Sequence, residues 1–338
     1  MKHFCLLFLI LTLTSCFRPS KDDVPALADT GSDNASLYDQ GQTSSCWIYA
    51  MCVCIEQEQM LKGDSVALSR HWLLSHAMQE QTLRLYMKVK DGGDVASPTA
   101  DPREGFSIRG VGPEALRLIS IYGLVPYSHE RSYIASGSVL TRKLTMLAKT
   151  ATSLHSLHDS MYECMPHFSI SRSVATTKEG VPTDESLFAD VNSGFYYLSM
   201  RYTPLQFAES IMYDQNWQFY SSVNYHKWGE RIALEVPDNQ NGHEYTNLPM
   251  DSLLHKTVRS LRKGHPVYWE YGKKKNPAAG GVNSDHAMAI IGITKSRDGH
   301  SRFLCRNSYG KGWGNNGTCL VSADFFMHHT CCIGVVNE

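Results

Sequence analysis

The feature that most constrains this chain is an apolar run without proline or glycine that begins at a cysteine. The ten residues from Cys46 to Ile55 are all hydrophobic, and the run ends near Lys62 and Gly63, a typical helix C-cap. Small polar residues precede it, and Ser44 or Ser45 can cap its first amides. Because the run is apolar on most faces, the sequence predicts a buried central helix over residues 46–61.

Cys46 occupies the first position of this predicted helix. The unpaired amides and the positive end of the helix dipole favour thiolate over thiol at that position, and the thiolate is the nucleophilic form. Gln40 lies six residues earlier and can turn its side-chain amide toward the same point. With the Cys46 amide it would hold a developing oxyanion.

Two later segments complete a pattern with the Gln-Gly and Ser-Cys-Trp of residues 40–47. They read Ser-Asp-His-Ala-Met-Ala-Ile at 284–290 and Asn-Ser-Tyr-Gly-Lys-Gly-Trp-Gly at 307–314. The three segments resemble the active-site motifs of papain-like cysteine peptidases, and they occur in that family's order. The resemblance implies an α+β fold, with a helical left domain around the buried central helix, a β-rich right domain and a cleft between them.

The resemblance also implies a role for each catalytic residue. Cys46 would be the nucleophile, His286 the base that takes its proton, and Asn307 the partner that orients the imidazole. Gln40 would supply the oxyanion donor. No metal and no organic cofactor are called for, and the expected substrate is a peptide or protein.

Five further residues are assigned to substrate binding on the same resemblance. The family has a glycine pair along one wall of the cleft, and here Arg109 replaces the first glycine while Gly110 is kept, followed by Val111. Arg109 would favour acidic side chains or a substrate carboxylate; the alternative is a solvent-facing loop arginine. Asp285 precedes the histidine, and Tyr309 stands where the family usually has the tryptophan that covers the histidine–asparagine bond.

The spacing of the motifs predicts an insertion. Cys46 and His286 are 240 positions apart, against about 130–150 in the minimal family pattern. We place a largely helical insertion at residues 136–242, with a helix over 140–165. Several segments resemble the bleomycin hydrolase and aminopeptidase C branch: residues 122–126, 202–207, 247–254 and 263–269.

The N-terminus has the pattern of an export signal. Residues 1–15 combine Lys2 with a short apolar run, and Leu-Thr-Ser-Cys at 13–16 resembles a bacterial lipobox with Cys16 as the lipidated residue. Residues 16–36 are polar and predict a disordered tether, so the peptidase domain would span residues 37–338. The expected location is a bacterial envelope membrane, the outer membrane in particular, where Lys-Asp-Asp at 21–23 resembles a sorting signal. An ordinary secretory signal and a solvated linker are the alternatives.

Charge and cysteine content limit the partners. The chain has 32 basic and 33 acidic residues, which gives no basis for a nucleic-acid partner. Cys52 and Cys54 lie within the apolar run and are expected to be buried as small hydrophobic residues. The histidines and cysteines of residues 328–332 fit no standard zinc spacing.

Three functions fit these motifs. The first is a papain-like cysteine peptidase, the second another cysteine acyl-transfer enzyme, and the third a catalytically silent lipoprotein on the same fold. Within the first, only Asn337 and Glu338 follow the last predicted strand at 332–336. This favours an open cleft and endopeptidase activity, whereas a cleft covered by the insertion or by the N-terminal tether would favour an aminopeptidase.

Overall fold

The computed structural model describes residues 38–92, 105–129, 137–165, 194–236, 239–272, 284–296 and 298–336. The predicted signal peptide, Cys16 and the tether lie outside these residues. The helices are α1 (Cys46–Leu61), α2 (Arg70–Lys90), α3 (Gly112–Tyr122), α4 (Gly137–Thr150), α5 (Leu154–Cys164), α6 (Pro204–Met212), α7 (Met250–Arg262) and α8 (Ala323–His329), with a short 3-10 helix at Tyr127–His129. In this part of the chain, none of the helices is both long and apolar enough to cross a membrane.

Most strands belong to one large sheet. The strands are β1 (Phe195–Tyr197), β2 (Met200–Tyr202), β3 (Trp217–Ser221), β4 (Arg231–Val236), β5 (Asn239–Asn247), β6 (Val267–Tyr271), β7 (His286–Lys295), β8 (Ser301–Arg306), β9 (Thr318–Ser322) and β10 (Thr330–Val336). β1 and β2 form a separate hairpin, and the other eight are ordered β4-β5-β3-β10-β6-β7-β8-β9. Neighbours are antiparallel except β3 and β5.

The sheet separates two apolar cores. Along β6 and β7, Tyr268 and Ala287 face the core around α1, whereas Trp269 and Met288 face the core formed with α7 and α8. This alternation is the period of two expected for a strand buried on both faces. The apolar strands predicted at 267–271, 286–293 and 303–306 are confirmed, with two extra residues on β7 and on β8.

The predicted central helix is also confirmed. α1 spans the predicted residues, and its side chains from Trp47 to Glu56 are all buried. The capping prediction is wrong, because Ser45 occupies the N-cap position but its hydroxyl bonds no helix amide. That hydroxyl lies 2.5 Å from the Thr43 hydroxyl instead, inside the loop that precedes the helix.

The insertion is more varied than predicted. The helix expected over 140–165 is divided into α4 and α5, and Ser153 caps the second by accepting a hydrogen bond from the Ser156 amide at 3.1 Å. Beyond α6, the insertion also supplies β3, β4 and the start of β5. These strands extend the main sheet past β10, so residues 137–164 of the predicted insertion form helices and its last described residues belong to the sheet.

Candidate active site

The packing of α1 on β7 brings the predicted nucleophile to the start of a strand. Cys46 is half-buried at the first position of the helix, and the backbone amide of Ala287 donates to its sulfur, as does that of Trp47. Ala287 directly follows His286. The two residues that the sequence predicts to exchange a proton therefore lie on elements in direct contact.

The helix start does not by itself determine the pKa of Cys46. The pKa of its thiol is raised to about 11, mainly by burial, and the Glu270 carboxylate contributes in the same direction. The amides of Ala287 and Trp47 and the charge of Arg109 act in the opposite direction, but they do not outweigh burial. The helix start alone therefore does not supply a thiolate, and a base must accept the proton.

His286 is fixed for that task by Asn307. Its Nε2 lies 2.6 Å from Asn307 Oδ1, and both residues are buried. Oδ1 also accepts the Ser308 amide at 2.7 Å. Since Oδ1 can only accept, Nε2 must carry the hydrogen and Nδ1 presents its lone pair. Burial lowers the pKa of His286, and the bond to Asn307 opposes this effect.

Tyr309 covers the imidazole. Its ring stacks on His286 with centroids 4.8 Å apart and planes 26° apart, and Trp313 meets the Tyr309 ring edge-on at 5.9 Å. The Tyr309 hydroxyl lies 3.5 Å from His286 Nδ1. Tyr309 is nevertheless 45% exposed. The tyrosine therefore places a polar group beside the ring nitrogen that must act on Cys46.

The oxyanion loop is joined to the asparagine segment. The backbone amide of Gln40 donates to the Ser308 carbonyl at 2.8 Å. The Ser308 hydroxyl donates to the side-chain oxygen Oε1 of Gln40 at 2.5 Å. Gln40 Nε2 uses one hydrogen on the Thr43 carbonyl. Because Oε1 is held by Ser308, the orientation of the Gln40 side-chain amide is defined, and its second N–H makes no hydrogen bond within the described residues. Sequence reasoning assigned no role to Ser308, although it lies inside the recognised motif.

The predicted substrate wall lies at the start of α3. Arg109 is exposed, Gly110 is half-buried and Val111 is buried with 1% exposure, so the Val111 side chain faces the core. A Cβ on Gly110 would lie 2.5 Å from the Trp47 ring, which explains the glycine there. Asp285 is exposed, and its amide donates to the Tyr271 carbonyl at 3.0 Å.

Other reactive groups lie away from this junction. Cys52 and Cys54 are buried as predicted, and the eight cysteines in the described part of the chain are free thiols. Within the same residues, no cluster of three histidine, cysteine or acidic side chains is suited to a metal ion. Sequence reasoning missed Glu270, which lies fully buried in the apolar strand β6 close to Cys46. The only sequence signal for it is a glutamate within Val-Tyr-Trp-Glu-Tyr.

Comparisons with known proteins bear on the fold of the chain. Residues 191–319 match the model of the Peptidase_C39 like family. Aminopeptidase G of Lactobacillus delbrueckii subsp. lactis is 21% identical over 351 residues, which cover 87% of this chain and 79% of that protein. The crystal structure of PepW from Lactobacillus rhamnosis HN001 matches with a TM-score of 0.58 at 15% identity, over 94% of this chain and 84% of that one. The chain has the papain-like cysteine peptidase fold.

Proposed function

We propose that this protein is a cysteine peptidase. The observation that carries the proposal is the 2.6 Å contact of His286 with Asn307 beside a cysteine that heads a buried helix. The pair leaves Nδ1 as the proton acceptor, which is the tautomer that a thiol nucleophile requires. The similarity to an aminopeptidase and to a peptidase family model supports the same chemistry.

The proposed reaction begins with transfer of the Cys46 thiol proton to His286 Nδ1. The sulfur attacks the carbonyl carbon of the substrate, and the resulting oxyanion accepts hydrogen bonds from the Cys46 amide and Gln40 Nε2. As the C–N bond breaks, the imidazolium gives its proton to the departing amine. Water, deprotonated by His286, then hydrolyses the thioester, which releases the acid and restores the thiol.

Covalent labelling tests this proposal. A peptidyl epoxide or vinyl sulfone should modify Cys46, and Cys46→Ala should remove both labelling and peptide cleavage. Cys164→Ser is the matched control, because Cys164 is also a half-buried free thiol. Cleavage by the Cys46→Ala variant would refute the proposal. Labelling without hydrolysis would favour another acyl-transfer reaction, and the absence of both would favour a catalytically silent protein.

We further propose that Arg109 selects acidic groups on the substrate. Its side chain is exposed at the start of the wall, and its charge acts on Cys46. Peptide-library digestion by the Arg109→Gln variant should lose any preference for Asp or Glu near the cleaved bond. An unchanged preference would make Arg109 a solvent-facing loop residue.

The mode of cleavage is proposed as endopeptidase action in an open cleft, with aminopeptidase action as the alternative suggested by the relative. Pairs of peptides with free and acetylated N-termini separate the two. Internal cuts in the acetylated peptide support the open cleft. Strict dependence on a free amine would instead show that a segment of the chain closes one end.

We also propose that the protein is anchored to a bacterial envelope membrane, the outer membrane in particular, by a lipid on Cys16. The support is the sequence Leu-Thr-Ser-Cys after an apolar run. Metabolic labelling with an alkyne fatty acid should modify the chain, and Cys16→Ala should abolish the label. Cys5→Ala, within the same N-terminal segment, is the control that should leave it unchanged. Fractionation of the envelope then identifies the membrane.

A further inference from the structure

A buried carboxylate acts on the proposed nucleophile. Glu270 is the fourth of the five residues of β6 and has 0% exposure. In the sheet it pairs with Ala287, the residue whose amide donates to the Cys46 sulfur. It points to the same side of the sheet as Tyr268, toward the core around α1. Nothing in the catalytic scheme above uses this group.

The carboxylate also holds the substrate wall. Glu270 Oε1 accepts the Gly112 amide at 3.0 Å and the Tyr268 hydroxyl at 2.5 Å. Gly112 follows the Arg109–Val111 segment immediately, and a Cβ there would lie 2.5 Å from Phe219 and 2.7 Å from Tyr268. The start of α3 therefore packs closely against the sheet and is hydrogen-bonded to it through the Glu270 side chain.

The groups around the Glu270 carboxylate do not offset the effect of burial on its pKa. The titratable groups that face it, from its own strand and from the elements packed on it, are Tyr268, His243 and Tyr245 of β5, Cys332 of β10 and Cys46 of α1. Burial raises the pKa of Glu270 to about 7, although the bonds from Tyr268, Gly112 and Cys332 lower it. Its charge therefore changes within the neutral pH range.

We propose that Glu270 is a positioning residue of the active site: its carboxyl group fixes the substrate wall through Gly112, and its negative charge opposes ionisation of Cys46. The inference rests on the proposed cysteine-peptidase function, for which it names a control of the nucleophile. Arg109 acts on Cys46 with the opposite sign. Two charged residues therefore act on the thiol with opposite signs, in addition to burial and the amides of Ala287 and Trp47.

Glu270→Gln removes the negative charge but keeps the hydrogen bonds, because a glutamine oxygen can still accept from the Gly112 amide and the Tyr268 hydroxyl. Alkylation of Cys46 by iodoacetamide in the full chain is measured by mass spectrometry of the Cys46 peptide. We expect the pH profile of this alkylation to move about one pH unit toward acid pH. At a fixed pH below the profile's midpoint, alkylation should be about tenfold faster. KM for a peptide should stay within about twofold, whereas Glu270→Ala, which loses the Gly112 bond, should raise KM.

Glu58→Gln is the matched control. Glu58 is a buried carboxylate at the other end of α1, paired with His265 at 3.0 Å. Its removal should leave the alkylation profile of Cys46 unchanged. A Glu270→Gln profile that superimposes on the wild type, or that moves toward alkaline pH, would overturn the inference. Alkylation does not require peptide cleavage, so a failure of the proposed function would be visible separately as an alkylated but inactive wild type.

Discussion

A buried ion pair joins the helix that presents Cys46 to the start of α2. Arg70 and Glu56 make two contacts, at 2.5 and 2.6 Å, and their side chains are only 2% and 7% exposed. Glu56 Oε1 also accepts the Leu68 amide at 2.7 Å. Arg70→Met would leave this carboxylate buried without a counter-charge. Since solvent does not screen it, we expect the free energy of unfolding to fall by about 3–5 kcal/mol.

Urea unfolding followed by tryptophan fluorescence measures this loss as a lower midpoint at unchanged slope. The double variant Glu56→Gln with Arg70→Met removes both charges and should recover a large part of the loss. Arg231→Met is the control, because its pair with Glu244 is 3.0 Å long but 78% and 67% exposed, and such a pair contributes about 0–1 kcal/mol. If Arg70→Met lost no more than Arg231→Met, the reasoning from burial would be refuted.

Three other predictions concern the site. Asn307→Ala should lower kcat on the order of 100-fold without abolishing it, since the imidazole loses its orientation but not its basicity; an unchanged kcat would contradict the role. Tyr309→Phe should keep the stacked ring and raise kcat about twofold, because Nδ1 loses a competing hydroxyl; a fall in kcat would mean that the hydroxyl assists. Folding raises the pKa of Glu270 from 4.5 to about 7, so the free energy of unfolding should fall as the pH rises from 4.5 through 7. Chemical denaturation at several pH values should show a fall of about 3 kcal/mol. Glu270→Gln should remove this pH dependence, and a pH dependence that persists in the variant would belong to other groups.

The parts of the fold that follow local rules could be predicted from the sequence. α1 and β6 were predicted with the observed bounds, because each is an apolar run bounded by glycine or polar residues. The break between α4 and α5 has no proline or glycine, and its only signal is Ser153 in a cap position. The pairing of β3 with β10 joins residues more than 100 positions apart, and no local pattern encodes such a partner.

The candidate site likewise combines residues that local motifs predict with properties that depend on distant parts of the fold. Cys46, His286, Asn307 and Gln40 were located from short motifs, and the fold brings their elements to one junction. The lowering of the thiol pKa by the helix-start amide follows from a local feature, whereas the larger, opposite effect of burial depends on the whole fold and was not predicted. Glu270 was missed for the same reason: the function of one glutamate in an apolar strand cannot be predicted until the neighbours of that strand are known.

Two features of this site act on the same proton. The Tyr309 hydroxyl, 3.5 Å from His286 Nδ1, competes with the Cys46 thiol for the nitrogen that must accept the proton. The Glu270 charge opposes the thiolate that would result. Both therefore favour the thiol over the thiolate, and neither disturbs the bond between His286 and Asn307. A substrate that displaces the Tyr309 hydroxyl would remove part of this restraint. An acidic substrate group paired with Arg109 would act the other way, because it would weaken a positive charge that favours the thiolate.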